Sequence, residues 1–266
     1  MKKIGLIAGG GSLPLEFIKQ ANARCEKVVV FALTGMADEK IERQAADKVY
    51  WLKIGQYTKF AFLLVKERIR HLALLGKVEK KALFNEKYDI EAENTLKKLK
   101  THEDYSILEE ITKHLKKIGI EVIDGKEYLS HLVPKKGFLS IIRPDEKISA
   151  DIAFGYNIAK QIAGMDIGQT VIVKDKTVVA VESIEGTDEA IKRAGTLAGR
   201  GCVMVKVSRP KQDTRWDVPT VGSDTMRLLA ENGFSAMAIE SKKMFLVDQK
   251  ETIDLSNINK IILQVL

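Results

Sequence analysis

The sequence predicts an α/β protein: a parallel-sheet domain at the N-terminus, joined by a linker to a mixed α/β domain. Two observations carry this. Over the first half, short apolar β-branched runs alternate with amphipathic stretches of helical period, the rhythm of βα units under a parallel sheet. Over the second half, the runs come in hairpin-like pairs as well as singly. A chain of 266 residues suffices for one large domain or two small ones.

In order, "KIGLIAG" (3–9) reads as a buried strand, "GGGSLP" turns it, and "LPLEFIKQANAR" (13–24) is a helix. "KVVVFAL" (27–33) is a second strand, "ADEKIERQA" (37–45) a short helix and "DKVYWLKIG" (47–55) a third strand. "YTKFAFLLVKERI" (57–69) is a helix and "HLALLG" (71–76) a fourth strand. "KYDIEAENTLKKLK" and "SILEEITKHLKKIG" place apolar residues three and four apart with Lys and Glu opposite, as solvated helices do. "IEVIDG" (120–125) returns to strand. Both prolines of the region fall in 131–147, which reads as the linker between domains 1–130 and 148–266. A helix (149–165) follows, then "TVIVKDKTVVAVES" (170–183), a hairpin turning at Asp175. "TDEAIKRAGTLA" is a helix, "CVMVKVS" a strand, and "SDTMRLLAENG" a helix with Gly233 as its C′ residue. "FSAMAIE", "KMFLV" and "KIILQVL" are further strands.

Composition narrows the function. Net charge is +7 with acids interspersed, and aromatics are only 6%, unlike the clustered basic faces of nucleic-acid binders. The excess suits an anionic small substrate or an anionic membrane surface. The start "MKKIGLIAGG" breaks at glycine, so it reads as a strand and not a signal peptide; a cytoplasmic protein is expected. Two cysteines outside any CxxC spacing exclude a disulfide framework, and four histidines without a nucleophile motif give no support to triad or zinc chemistry.

Three stretches can carry chemistry. "AGGGSLP" (8–14) lies between a strand and a helix, where Gly9, Gly10, Gly11 and Ser12 can offer backbone N–H groups to phosphate oxygens. Pro14 stands where a third Rossmann glycine belongs, which argues against NAD or FAD; a purely structural tight turn fits as well. The second stretch, 166–195, groups Glu182, Glu185 and Asp188 at a strand-to-helix junction. Such oxygen donors suit Mg²⁺ or Mn²⁺. Equally, Thr187 is a good N-cap residue, and Asp188 and Glu189 complement the helix dipole. The third, "VKVSRPKQDTRWDVPTVG" (205–222), sets Lys206, Arg209, Lys211 and Arg215 around Asp213 and Asp217, with Pro210 and Pro219 stiffening the backbone. The carboxylates can bind a cation and the cations a diphosphate; a loop of self-compensating ion pairs meets the same description.

These three stretches, with "GKVEKKALF" (76–84) and "DYSIL" (104–108), resemble the UDP-2,3-diacylglucosamine pyrophosphatases of the DUF1009 type, the LpxI family, over nearly the whole chain and in the same order. The resemblance implies a Rossmann-like domain and a second domain holding a lipid-linked sugar nucleotide between them. It implies Mg²⁺-dependent hydrolysis of UDP-2,3-diacylglucosamine to UMP and 2,3-diacylglucosamine 1-phosphate in lipid A synthesis, by a homodimer. An essential aspartate is matched to Asp213, with Asp217 as second choice. On this reading Asp213, Asp217, Lys206 and Arg215 are catalytic. Gly9, Gly10, Gly11, Ser12, Thr187 and Arg209 bind substrate, and Asp213, Asp217, Glu182, Glu185 and Asp188 are the candidate metal ligands. Ser241-Lys242-Lys243 replaces expected small residues after "AIE", and "SRP" stands where a lysine before the proline is expected. Hydrolysis of another sugar nucleotide and a non-catalytic nucleotide-binding regulatory module stay open as alternatives.

Overall fold

The structure, a computed structural model, describes residues 2–44, 47–78, 89–90, 104–210 and 212–266. Most of "KYDIEAENTLKKLK", most of "GKVEKKALF", and Lys211 lie outside the described residues. The chain forms two units. One comprises Met1–Ser130 and Thr214–Asp217; the other comprises His131–Asp213 and Val218–Leu266.

The first unit is built on five parallel strands, β1 (Lys3–Ala8), β2 (Lys27–Leu33), β3 (Lys48–Leu52), β4 (His71–Leu75) and β5 (Glu121–Val122), in the order β3-β2-β1-β4-β5. The helices are α1 (Leu13–Ala23), α2 (Ile41–Gln44), α3 (Tyr57–Lys66) and α4 (Asp104–Lys117). Their spacing explains their faces. In α1, Pro14, Phe17, Ile18 and Ala21 recur at three and four residues and are buried. In α3, Phe60, Leu63 and Leu64 do the same, packing with Phe31, Leu72 and Leu115 into one core. Burial of each Phe, Leu or Ile among them stabilises by about 1.5–3 kcal/mol. Gly5 is the exception inside β1: a Cβ there stands 2.8 Å from Leu72 and 2.9 Å from Ile69, whose side chains fill its place.

The second unit carries the mixed sheet β6-β13-β11-β9-β7-β8. The strands are β6 (Gly137–Phe138), β7 (Thr170–Lys174), β8 (Thr177–Val181), β9 (Val203–Lys206), β11 (Ala236–Ile239) and β13 (Ile262–Val265). β9, β11 and β13 are parallel; β6 and β7 run against them. β10 (Thr220–Val221) and β12 (Phe245–Leu246) form a separate parallel pair. The helices are α5 (Glu146–Gly164), α6 (Thr187–Ala198), α7 (Ser223–Glu231) and α8 (Gln249–Ile258). Strand alternation sorts the core into two faces. Val171, Val173, Val203 and Val205 pack with Ile152 and Ala159 of α5. Ile172, Cys202 and Met204 pack with Ile191 of α6 and Leu229 of α7.

The hairpin turn holds two consecutive residues at positive φ, Asp175 (52°) and Lys176 (54°), the pattern of a type I′ turn. Neither is glycine. The buried carboxylate of Asp151 compensates by accepting both backbone N–H groups, at 3.0 and 2.6 Å.

Two expectations change. The stretch 131–147 belongs wholly to the second unit: β6 pairs with β13, and Ser140 Oγ accepts from Leu263 N at 2.9 Å. Asp145 caps α5, accepting from Ile148 N at 2.7 Å. Its prolines suggest a linker, but the segment lies on a sheet edge, where few ladder bonds are required of it. Second, α8 has no counterpart in the sequence reading. Its buried positions are Thr252 and Ser256, whose hydroxyls bond backbone carbonyls of Val247, Asp248 and Ile261, so no apolar stripe marks it.

Candidate functional site

In the first unit the strand order reverses between β1 and β4, and ligands of open α/β sheets bind outside the carboxyl ends of such strands. Gly9, Gly10, Gly11 and Ser12 follow β1 there. Gly9 N donates to Leu75 O and Gly10 N to Lys77 O, each at 2.8 Å, and Lys77 N returns to Gly10 O. A Cβ on Gly9 stands 2.6 Å from Lys77 O. These two glycines thus allow backbones to approach, and their N–H groups are already engaged, contrary to the reading that offers them to phosphate. Gly11 differs: its φ is +90° and a Cβ there meets nothing within 4 Å. Ser12 then opens α1 without a side-chain cap bond. Gly11 and Ser12 are the open part of the turn.

In the second unit, alternation along β9 puts Cys202, Met204 and Lys206 on one face, the face covered by α6. Lys206 closes the strand at its carboxyl end. Its side chain is 9% exposed, and Nζ donates to Thr187 Oγ1 at 2.7 Å. Thr187 Oγ1 donates onward to Glu182 Oε1 at 2.7 Å, and Glu182 Oε2 lies 3.7 Å from Lys206 Nζ. Burial pushes the Glu182 carboxyl up; the charge of Lys206 and the hydrogen bond from Thr187 outweigh it and hold the carboxyl below its ordinary value. Thr187 is the first residue of α6, and Gly186 occupies the N-cap position expected of it (φ +84°). Its hydroxyl turns to Glu182 instead of capping.

The other candidates distribute as follows. Glu185 is exposed and pairs with Arg193 at 2.8 Å. Asp188 is exposed in the first turn of α6. Arg209 pairs with Asp166, and its N–H donates to Gln212 Oε1 at 2.8 Å. Asp213, half-buried, is the last residue of the second unit before the chain enters the first. Thr214–Asp217 belong to the first unit, where Thr214 Oγ1 donates to Asp124 Oδ2 at 2.6 Å and the Arg215 guanidinium lies 5.6 Å from the Trp216 ring centroid. Asp217 is half-buried there.

Glu182, Thr187 and Lys206 are therefore brought together; Glu185 and Asp188 are turned to other partners or to solvent. Among the described residues, no three His, Cys, Asp or Glu side chains gather as a metal site. A hard divalent ion needs only one or two protein carboxylates when substrate phosphate supplies the rest. The Glu182 carboxylate is committed to Lys206 and Thr187.

Glu240, Ser208, Lys160 and Asp124 lie outside the sequence-derived candidates. Glu240 had a signal: a carboxylate directly after the buried strand "AMAI" stands where Lys206 stands after "VMV". Its carboxylate accepts from Ser208 N and Ser208 Oγ at 2.8 and 2.7 Å and pairs with Lys160.

A family model described as the LpxI N-terminal domain matches residues 3–132, and one described as the LpxI C-terminal domain matches 135–264. The chain is 30% identical over 264 residues to a Caulobacter vibrioides protein named UDP-2,3-diacylglucosamine pyrophosphatase LpxI, covering 95% of this chain and 93% of that one. Among solved structures, a Mycobacterium tuberculosis glycinamide-RNase-transformylase T aligns at a TM-score of 0.27 and 10% identity, over 68% of this chain and 44% of that one. The biotin carboxylase domain of the Hydrogenobacter thermophilus 2-oxoglutarate carboxylase aligns at 0.28 and 15%, over 74% and 41%. Scores this low carry no functional argument. The two family matches lie end to end along the α/β units described above, and the chain belongs to the LpxI family.

Proposed function

We propose that the chain is a hydrolase that splits the diphosphate of UDP-2,3-diacylglucosamine with water, releasing UMP and 2,3-diacylglucosamine 1-phosphate. The observation that carries this reading is the end-to-end similarity to a pyrophosphatase of that name. The buried lysine at the carboxyl end of β9 supports it, since an oriented cation is what charge growing on phosphoryl oxygens requires.

Asp213, or Asp217 in its place, would hold Mg²⁺ or Mn²⁺. When bound, such an ion supplies charge neutralisation of the diphosphate and a water of lowered pKa. Lys206 offsets phosphoryl charge, with Thr187 and Glu182 fixing its ammonium. Arg209 and Arg215 are assigned the same charge. Gly11 and Ser12 would offer room to sugar or nucleotide, since a Cβ at Gly11 meets nothing within 4 Å. The acyl chains call for peripheral contact with a membrane surface, which the net charge of +7 favours. Among the described residues no helix is long and apolar enough to cross a membrane. A homodimer completes the reading.

The test is hydrolysis of UDP-2,3-diacylglucosamine with and without EDTA, with product identification and UDP-GlcNAc as the competing substrate. UMP released only from the lipid substrate, and only without chelator, supports the reading; release of another nucleotide product, or none, overturns it.

A further inference from the structure

Ser208 is the first residue after the last ladder bond of β9, and it opens the loop that carries Arg209 and Asp213. All three of its polar groups end on one ion pair. Its N–H and hydroxyl donate to Glu240 Oε2 at 2.8 and 2.7 Å, and its carbonyl accepts from Lys160 Nζ at 3.2 Å. Lys160 Nζ in turn reaches both Glu240 oxygens, at 3.1 and 3.2 Å. Ser208 is fully buried, and the Glu240 side chain is 13% exposed. Burial pushes the Glu240 carboxyl up, yet the bonds from Ser208 and Lys160 hold it below its ordinary value.

A pair this enclosed is weak evidence for stability, because apolar side chains of similar volume do as well. What it supplies is direction. Glu240 N also bonds Lys206 O at 3.1 Å, so the carboxylate hangs from the same strand ends that present Lys206. Pro210 narrows the backbone two residues beyond the grip.

We propose that Glu240, backed by Lys160, is a positioning residue for the hydrolysis: by clamping Ser208 it fixes the course of the loop that presents Asp213. This rests on the proposed function. Glu240 touches no reacting atom on this account and acts only through Ser208.

The test compares wild type with Glu240→Ala, Glu240→Gln, Ser208→Ala and the Glu240→Ala/Ser208→Ala double variant. The readouts are kcat and KM for UMP release, thermal midpoint, and amide exchange over 209–213. Misplacing a catalytic group costs up to about 100-fold. Glu240→Ala should lower kcat by roughly 10- to 100-fold with KM within about threefold, and speed exchange in the loop. Glu240→Gln, which keeps an acceptor for Ser208, should recover part of kcat. The double variant should fall within about threefold of Glu240→Ala, because the Ser208 hydroxyl acts only through Glu240. A kcat near wild type, additive losses, or unchanged loop exchange overturns the proposal. Should Glu240→Ala fail to fold, Ser208→Ala carries the same test. Should the wild type release no UMP, the functional reading fails by itself, and loop exchange alone still decides whether Glu240 orders the segment.

Discussion

The Lys206 ammonium stands 2.7 Å from the Thr187 hydroxyl, which itself sits 2.7 Å from the Glu182 carboxylate. The end of β9, the start of α6 and the segment between β8 and α6 thus share one short chain of hydrogen bonds. Removing one partner of such a buried pair leaves the other uncompensated, at about 3–5 kcal/mol. Glu182→Ala should therefore be among the most destabilising changes in the second unit, by urea unfolding. Lys206→Met keeps volume but leaves Glu182 unpaired; it should lose stability as well, and at least about 100-fold in kcat. Thr187→Ser, which keeps the hydroxyl, should cost little of either.

The first unit holds its own buried carboxylate. Glu67 is 4% exposed, accepts from Lys48 Nζ at 2.8 Å and Tyr50 Oη at 2.6 Å, and bonds Lys3. The Lys48 and Tyr50 bonds outweigh burial and hold its carboxyl down at about 2 from an ordinary 4.5. A depressed carboxyl stabilises fully above its unfolded value and loses that contribution as pH falls through the folded one. The difference in thermal midpoint between wild type and Glu67→Gln should be constant above about pH 5 and shrink between pH 4.5 and 2. Because Lys48 is half-exposed, screening limits the effect to on the order of 1–2 kcal/mol. A constant difference down to pH 2 contradicts the assignment.

The glycines of the first turn should separate cleanly. Gly9→Ala places a methyl 2.6 Å from a backbone carbonyl and should cost several kcal/mol or prevent folding. Gly11→Ala has room but a φ of +90°, so it should cost about 1–2 kcal/mol. If Gly11 faces substrate, KM rises as well. Thermal unfolding beside UMP-release kinetics reads both.

Asp151 holds the hairpin turn from outside, and Asp151→Ala leaves two N–H groups of a strained turn without their acceptor. It should destabilise by about 2–3 kcal/mol. Lys176→Gly, which relaxes a residue at φ 54°, should stabilise by about 0.5–1 kcal/mol in the wild-type background. Chemical denaturation midpoints check both.

The parallel sheet was legible because its strands are continuous apolar runs and its helices show three-and-four spacing, as in Phe60, Leu63 and Leu64. The helix over Gln249–Ile258 was not, because threonine and serine line its buried side. The candidate residues were visible as residue types at strand ends. Their partners were not: nothing local in "AVESIEGT" says that Glu182 turns to Thr187 and Lys206 while Glu185 turns to Arg193. Nor does the 205–222 stretch reveal that Asp213 and Asp217, four residues apart, fall in different units. Those outcomes depend on which elements the topology makes neighbours.

Most direct is the rate of UMP release by Asp213→Asn, against wild type, in saturating Mg²⁺ with the folded state verified by thermal unfolding. Loss of the carboxylate charge should lower kcat by about a thousandfold or more in a variant that still unfolds cooperatively. Turnover within about tenfold of wild type by a folded variant contradicts the account.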